Sequence, residues 1–202
     1  MLDFYNMKQV TCVFFGLSGS GKGTQAKLLL KYLEEHDSPR KALYVETGAR
    51  FRELQEKGTF TSVKVKEVTT AGKFLPPFLP IWNWTGFLIE HYTGAEHLVF
   101  DGVCRQPEEA PIFDSALQFY GIEKPTIVLL ETHREEIKDR LLKRGRYDDT
   151  DEKIDERVKA FENSALPAIT YFRKAPTCRF VTVNGDQTIE EVFVDVKKAL
   201  GI

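Results

Sequence analysis

Cysteine is scarce in this chain of 202 residues: Cys12, Cys104 and Cys178 are odd in number, far apart and in no C-x-x-C pair. That spacing excludes both a disulfide framework and a zinc site. An excess of one charge is also missing. Lys and Arg number 28 against 30 Asp and Glu, and the formal net charge of −2 gives no bulk attraction to nucleic acid or to a membrane surface. No apolar run approaches bilayer-spanning length, and no N-terminal stretch combines a charged start, an apolar centre and a small-residue cleavage site. These absences point to the cytoplasm and make any anion binding a local property. Internal repeats and low-complexity tracts are absent too.

What is present is ordinary for a globular chain, at 42% hydrophobic and 29% charged residues. The length fits one domain over residues 1–202 with a small insertion better than two domains. One stretch stands out. The apolar run Val10 to Phe15 leads into Gly16-Leu17-Ser18-Gly19-Ser20-Gly21-Lys22-Gly23-Thr24, and a helical pattern follows. Glycines let such a loop turn its N–H groups toward one point, Lys22 adds a mobile positive charge, and the next helix aims its positive end there. The match to G-x-x-x-x-G-K is complete, with the hydroxyl one place late at Thr24. The expected occupant is a polyphosphate.

The rest of the chain alternates strands with helices. Ala26, Leu29, Leu30 and Leu33 place a first helix over about 23–36, and Ala42 to Val45 read as a second strand. Residues 50–57 and 63–71 look helical with no strand until Leu98, so 47–76 form a helical excursion. Pro80 is expected to open a helix running to about Tyr92, with Trp82 and Trp84 packing it onto the sheet. Strands follow at 98–101, 126–130 and 180–183, and helices at 107–120, 134–144 and 151–173, the last interrupted or bent at Pro167. Thr188-Ile189-Glu190-Glu191 is a capping box for the final helix. Such alternation calls for an α/β fold: a five-stranded parallel sheet with helices on both faces and a ligand at the carboxyl ends of the strands. The glycine loop, Thr47-Gly48, Asp101-Gly102 and Glu131 all fall at those ends.

Transfer of a phosphoryl group needs two phosphates held in line and charge stabilisation on the moving group. Arginines accumulate accordingly: Arg52, Arg105, Arg140, Arg144, Arg146 and Arg157. With these motifs in order, the chain resembles the adenylate kinase family of P-loop nucleoside monophosphate kinases. The likeness runs from about Val10 to Leu200. Its markers are the glycine loop, Thr47-Gly48-Ala49-Arg50-Phe51-Arg52, Gly72-Lys73-Phe74-Leu75-Pro76, Asp101-Gly102-Val103-Cys104-Arg105, Arg140 to Asp149, and Arg157.

The resemblance implies reversible transfer from ATP to AMP giving two ADP, with magnesium and without zinc. It would set Gly19, Ser20, Gly21, Lys22, Gly23 and Thr24 around the ATP phosphates, and Arg140 and Gln187 at the ATP base. Arg52 and Arg105 would grip the AMP phosphate, and Arg144, Arg146 and Arg157 would close over the transferring group. Thr47, Lys73, Phe74, Leu75, Gly102 and Glu109 would line the AMP pocket. Asp101 would orient magnesium through water, with Thr24 as a second candidate, while Asp148 and Asp149 would anchor a lid turn over 144–147. The same residues have plainer readings: Arg140 and Glu136 as a helix-face pair, Asp148-Asp149 as a cap.

The chain also departs from the family pattern. Only Gly145 separates Arg144 from Arg146, which leaves a minimal lid. Ser18 and Cys104 stand where proline is usual, and Ala49 where an acid is. Glu109 stands where the family places a glutamine that reads the monophosphate base. An ionised glutamate only accepts hydrogen bonds, which suits guanine or cytosine better than adenine. Alternatively, Glu108 and Glu109 simply face solvent at a helix start, where acids are favoured. Two other functions stay open on sequence: a kinase for GMP, CMP, UMP or dTMP, and a nucleotide-binding module without turnover.

Overall fold

The computed structural model describes residues 7–144 and 150–202. Among them, β1 (Thr11–Phe15), β2 (Ala42–Glu46), β3 (His97–Asp101), β4 (Thr126–Glu131) and β5 (Arg179–Asn184) form a five-stranded sheet in the order β2-β3-β1-β4-β5. Every pairing is parallel. β1 lies at the centre with all five residues buried, because its neighbours cover both edges and helices cover both faces.

The alternation along β1 sorts the two cores. Val13 and Phe15 enter one, with Trp84, Leu88, Phe100, Phe113 and Phe172. Cys12 and Phe14 enter the other, with Leu29, Leu33, Val192 and Val196. Helices α4 (Phe78–His91), α5 (Glu109–Phe119) and α8 (Leu166–Lys174) therefore pack on one face, and α1 (Lys22–His36) and α9 (Ile189–Leu200) on the other. The capping box is present: Thr188 accepts from the Glu191 N–H and Glu191 reaches back to the Thr188 N–H.

Between β2 and β3 the chain makes α2 (Thr47–Gln55) and α3 (Phe60–Thr70), which share a small core of Leu54, Val65, Leu75 and Leu79. Both helices start three residues earlier than expected. α2 leaves β2 directly at Thr47, and the Thr59 hydroxyl caps α3 by accepting from the Ser62 N–H. α4 likewise begins at Phe78, so Pro80 sits inside the first turn, where its missing N–H has no intrahelical carbonyl to meet. Trp84 is fully buried as expected, but Trp82 on the same helix is half exposed and contributes no core packing. α5 starts at Glu109, two residues past Pro107.

α6 (Arg134–Arg144) precedes α7 (Asp151–Ala160). The long helix expected to be interrupted or bent is α7, a π-helical turn over Phe161–Ala165, and α8. The wider turn lies just before Pro167, which cannot donate to an i−4 carbonyl and whose ring would collide with it.

Candidate active site

β1 ends at Phe15 and the chain turns at once through Gly16 (φ +145°), Gly19 (φ +90°) and Gly21 (φ +98°). At two of these positions a side chain has no room. A Cβ on Gly16 would lie 2.6 Å from Ser20 Oγ and 2.7 Å from the Leu130 carbonyl oxygen, and one on Gly19 would lie 2.9 Å from Leu141 Cγ on α6. The loop is thus pressed between β4 and α6, with Gly21 as the N-cap of α1. Lys22 Nζ folds back to donate to the Gly16 and Leu17 carbonyls at 2.8 and 3.0 Å. Ser20 Oγ is buried without a hydrogen-bond partner. A helix N-terminus, a lysine and a glycine turn converge here as an anion cradle.

β3 lies beside β1, and its last residue, Asp101, faces the start of α1: its Oδ2 would be 3.4 Å from a Cβ on Gly23. The Tyr44 hydroxyl, from β2, donates to the same Oδ2 at 3.2 Å. Burial and the nearby Asp101 and Glu46 push the Tyr44 phenol well above its ordinary range, so it stays a donor. One carboxylate beside a phosphate cradle suits magnesium, a hard cation that keeps several waters and takes its other ligands from phosphates. Among the described residues no group of three or more His, Cys, Asp or Glu side chains could hold a metal without such help. Thr24 is exposed at the first turn of α1.

Gly102 joins the next two features. Its carbonyl accepts from Thr47 Oγ1 at 2.8 Å and from Arg105 Nε at 3.0 Å. Its φ is +82°, and a Cβ there would meet an Arg105 guanidinium nitrogen at 2.7 Å and Thr47 Oγ1 at 3.1 Å. Arg52 lies further out, paired with Glu46 at 3.1 Å at the end of β2. Lys73 and Phe74 are exposed, whereas Leu75 is buried.

Glu109 corrects one expectation. Glu108 faces solvent as a helix-start acid can, but Glu109 is only 1% exposed. Its Oε1 accepts from the Gln106 N–H at 3.0 Å, and its Oε2 is buried without a partner. Burial raises its carboxyl to about 7, against the opposing pull of nearby backbone amides and Arg105.

On the opposite side, Arg140 Nε pairs with Glu136 at 2.8 Å and its Nη2 donates to the Gly185 carbonyl at 2.9 Å. The helix-face pair and a reach to the end of β5 therefore coexist. The Gln187 side chain turns away to the Asn184 carbonyl and Asp195, both at 3.0 Å. Arg146, Asp148 and Asp149 lie outside the described residues, as do the side chains of Arg144 and Arg157.

Three contributors were not read from sequence. Tyr44 holds Asp101, Glu46 holds Arg52, and Gln106 bridges Glu109 to the Leu75 carbonyl, which its side-chain amide reaches at 2.9 Å. The alternation along β2 could have flagged Tyr44. Nothing local distinguished Gln106.

Comparison with known proteins agrees with this arrangement. The family model described as adenylate kinase matches residues 14–177. Adenylate kinase 1 of a Nostoc species is 29% identical over 189 residues, spanning 94% of this chain and 97% of that protein. The adenylate kinase of Mycobacterium tuberculosis is 31% identical over 193 residues, spanning 94% and 98%, and that of Leptospira biflexa is 29% identical over 192, spanning 93% and 98%. A glycine cradle on the central strand, a carboxylate on the neighbouring strand and a paired helical excursion, matched over nearly the whole chain, make this protein a member of the adenylate kinase family.

Proposed function

We propose that the rim formed by the carboxyl ends of β1, β3 and β4 transfers the terminal phosphoryl group of ATP to AMP, giving two ADP. The observation that carries this reading is the meeting of Lys22, Asp101 and the Gly102–Arg105 turn on adjacent strands, in a chain of this family. Gly19 to Thr24 and Lys22 hold the ATP phosphates, with Lys22 exchanging its two loop carbonyls for phosphate oxygens. Arg140 and the backbone at Gln187 flank the ATP base. Arg52 and Arg105 grip the acceptor phosphate, each by a fork that matches two oxygens. Thr47, Gly102, Lys73, Phe74, Leu75 and Glu109 line the acceptor pocket, and Thr47 fixes the Gly102 carbonyl on which Arg105 rests.

Arg144, Arg146 and Arg157 neutralise charge on the moving group, and Asp148 and Asp149 anchor the lid turn that carries Arg146. With a lid over only 144–147, water exclusion depends on that turn and on the excursion over 47–76. Magnesium held through water by Asp101, with Thr24 as the nearest hydroxyl, would screen the phosphates when bound. The working compartment is the cytoplasm, where three unpaired thiols stay reduced.

A coupled assay with ATP, magnesium and AMP, GMP, CMP, UMP or dTMP in turn tests the reading. It predicts ADP formation fastest with AMP. Turnover with a pyrimidine monophosphate alone, or ATP binding with no product from any acceptor, would reject it.

A further inference from the structure

The carboxyl of Glu109 has more hydrogen-bonding capacity than the structure uses. An ionised carboxylate offers about four lone-pair positions. Here the hydrogen bond made is from the Gln106 N–H to Oε1, and Oε2 is sealed from solvent with no partner. Leaving a charged oxygen buried and unpaired is far costlier than protonating it. The position is also not an isolated piece of core. Gln106 gives its backbone N–H to Glu109 and its side-chain amide to the Leu75 carbonyl, so the carboxyl and the 73–75 wall of the acceptor pocket are two hydrogen bonds apart.

We propose that Glu109 works as an un-ionised carboxylic acid that reads adenine as an amide would. The Oε2–H donates to the adenine N1, and Oε1 accepts from the 6-amino group with the lone pair that Gln106 leaves free. The inference rests on the ATP:AMP reading above, and it removes the conflict between a glutamate at this position and an adenine acceptor. In the ionised form the same group presents only acceptors, which match the N1–H and 2-amino group of guanine. Because Oε2 is closed to solvent, a base reaches it only by displacing the groups that cover it.

The surroundings favour the neutral form on balance. Burial raises the Glu109 carboxyl to about 7, while the Gln106, Arg105 and Cys104 amides and the Arg105 guanidinium oppose the rise. The buried Cys104 thiol, itself raised by burial and by Glu109, is neutral. The helices packed on α5 bring few competing charges. On α4, Glu90 and His91 lie beside each other at 3.7 Å at its far end. On α8, Tyr171 donates to Asp114, Arg173 lies over the Phe180 ring and Lys174 is exposed. In the 73–75 wall, Lys73 is exposed.

The test is the ratio of kcat/KM for AMP to that for GMP, measured from pH 6 to pH 8 in the wild-type protein and in Glu109→Gln. The two acceptors share the same phosphate ionisation, so its effect cancels in the ratio. With the carboxyl titrating near 7, the neutral fraction falls about tenfold across this range while the ionised fraction rises about tenfold, so the wild-type ratio falls by about a hundredfold. In Glu109→Gln, which donates and accepts at every pH, the ratio stays flat and favours AMP. A flat wild-type ratio would overturn the proposal while leaving the ATP:AMP reading intact, and so would loss of AMP preference in Glu109→Gln. Absence of ADP formation from AMP in both proteins at every pH would remove the ATP:AMP reading and this inference together.

Discussion

Substituting Gly102 by alanine separates the cost of folding from the cost of binding. The residue sits at φ +82°, where a side chain strains the backbone by about 1 to 2 kcal/mol. The added Cβ also falls 2.7 Å from the Arg105 guanidinium and 3.1 Å from Thr47 Oγ1. Arg105 is exposed and flexible, so it relieves that clash by swinging away rather than by unfolding anything. Thr47 Oγ1, on a buried side chain, must also give by a few tenths of an ångström, so the stability loss is at least the backbone term, a drop of about 2 to 8 °C in Tm for a chain of this size. The binding loss is larger. Arg105 leaves the Gly102 carbonyl that positions it, and a misplaced charge-assisted contact to the acceptor phosphate is worth about 1.5 to 3 kcal/mol. That corresponds to roughly a ten- to hundredfold fall in kcat/KM for AMP, with the KM for ATP almost unchanged. The assay is steady-state kinetics with each substrate varied, beside thermal melts. An unaltered AMP KM in a protein whose Tm has fallen would refute the link between Gly102 and Arg105 positioning.

Three further outcomes follow from buried groups and from the Asp101 contact. In His97, Nδ1 accepts from the Val10 N–H at 2.9 Å and Nε2 lies 3.2 Å from Asp37, while burial lowers the ring below its ordinary 6.5. The unfolded chain then binds a proton that the folded one refuses, so this contribution is full above about pH 6.5 and is lost as pH falls below it. Urea melts of His97→Gln should show a flatter profile than wild type over that window. Glu109 has the opposite sign: its folded carboxyl is raised from 4.5 to about 7, so its contribution is full below pH 4.5 and is lost as pH rises through 7. The shift corresponds to about 3 kcal/mol. Glu109→Gln should accordingly gain stability over wild type at pH 8 and not at pH 4.5. Tyr44→Phe removes the 3.2 Å hydrogen bond to Asp101, which should raise the magnesium concentration needed for half-maximal turnover several-fold and lower Tm by about 1 to 6 °C, the worth of one hydrogen bond. A magnesium titration of initial rates checks it.

The parts of the structure that depend on local pattern were legible in the sequence. The all-apolar β1, the glycine cradle and the Thr188 capping box each carry their cause in adjacent residues. So does the order of the motifs, and with it the family. What escaped depends on partners distant in the chain. Glu109 looks like an early-helix acid because nothing adjacent in the chain says that its side chain will be buried. Trp82 and Trp84 differ by two places, or about 200° around a helix, so one is buried and the other half exposed. The Tyr44 bond to Asp101 exists only because β2 pairs with β3. Pro167 correctly marked a disruption, but the backbone absorbs it one turn earlier as a π-helical turn.

The central claim is that the loop at the end of β1 holds ATP for transfer to AMP. Its most direct test is ADP formation from ATP and AMP by the wild-type protein and by Lys22→Ala, with circular dichroism confirming that both are folded. The account predicts brisk, magnesium-dependent turnover in the first and a loss of at least about a hundredfold in the second, the scale of one charge-stabilising group. Full turnover in Lys22→Ala, or none in the wild type despite ATP binding, would contradict it.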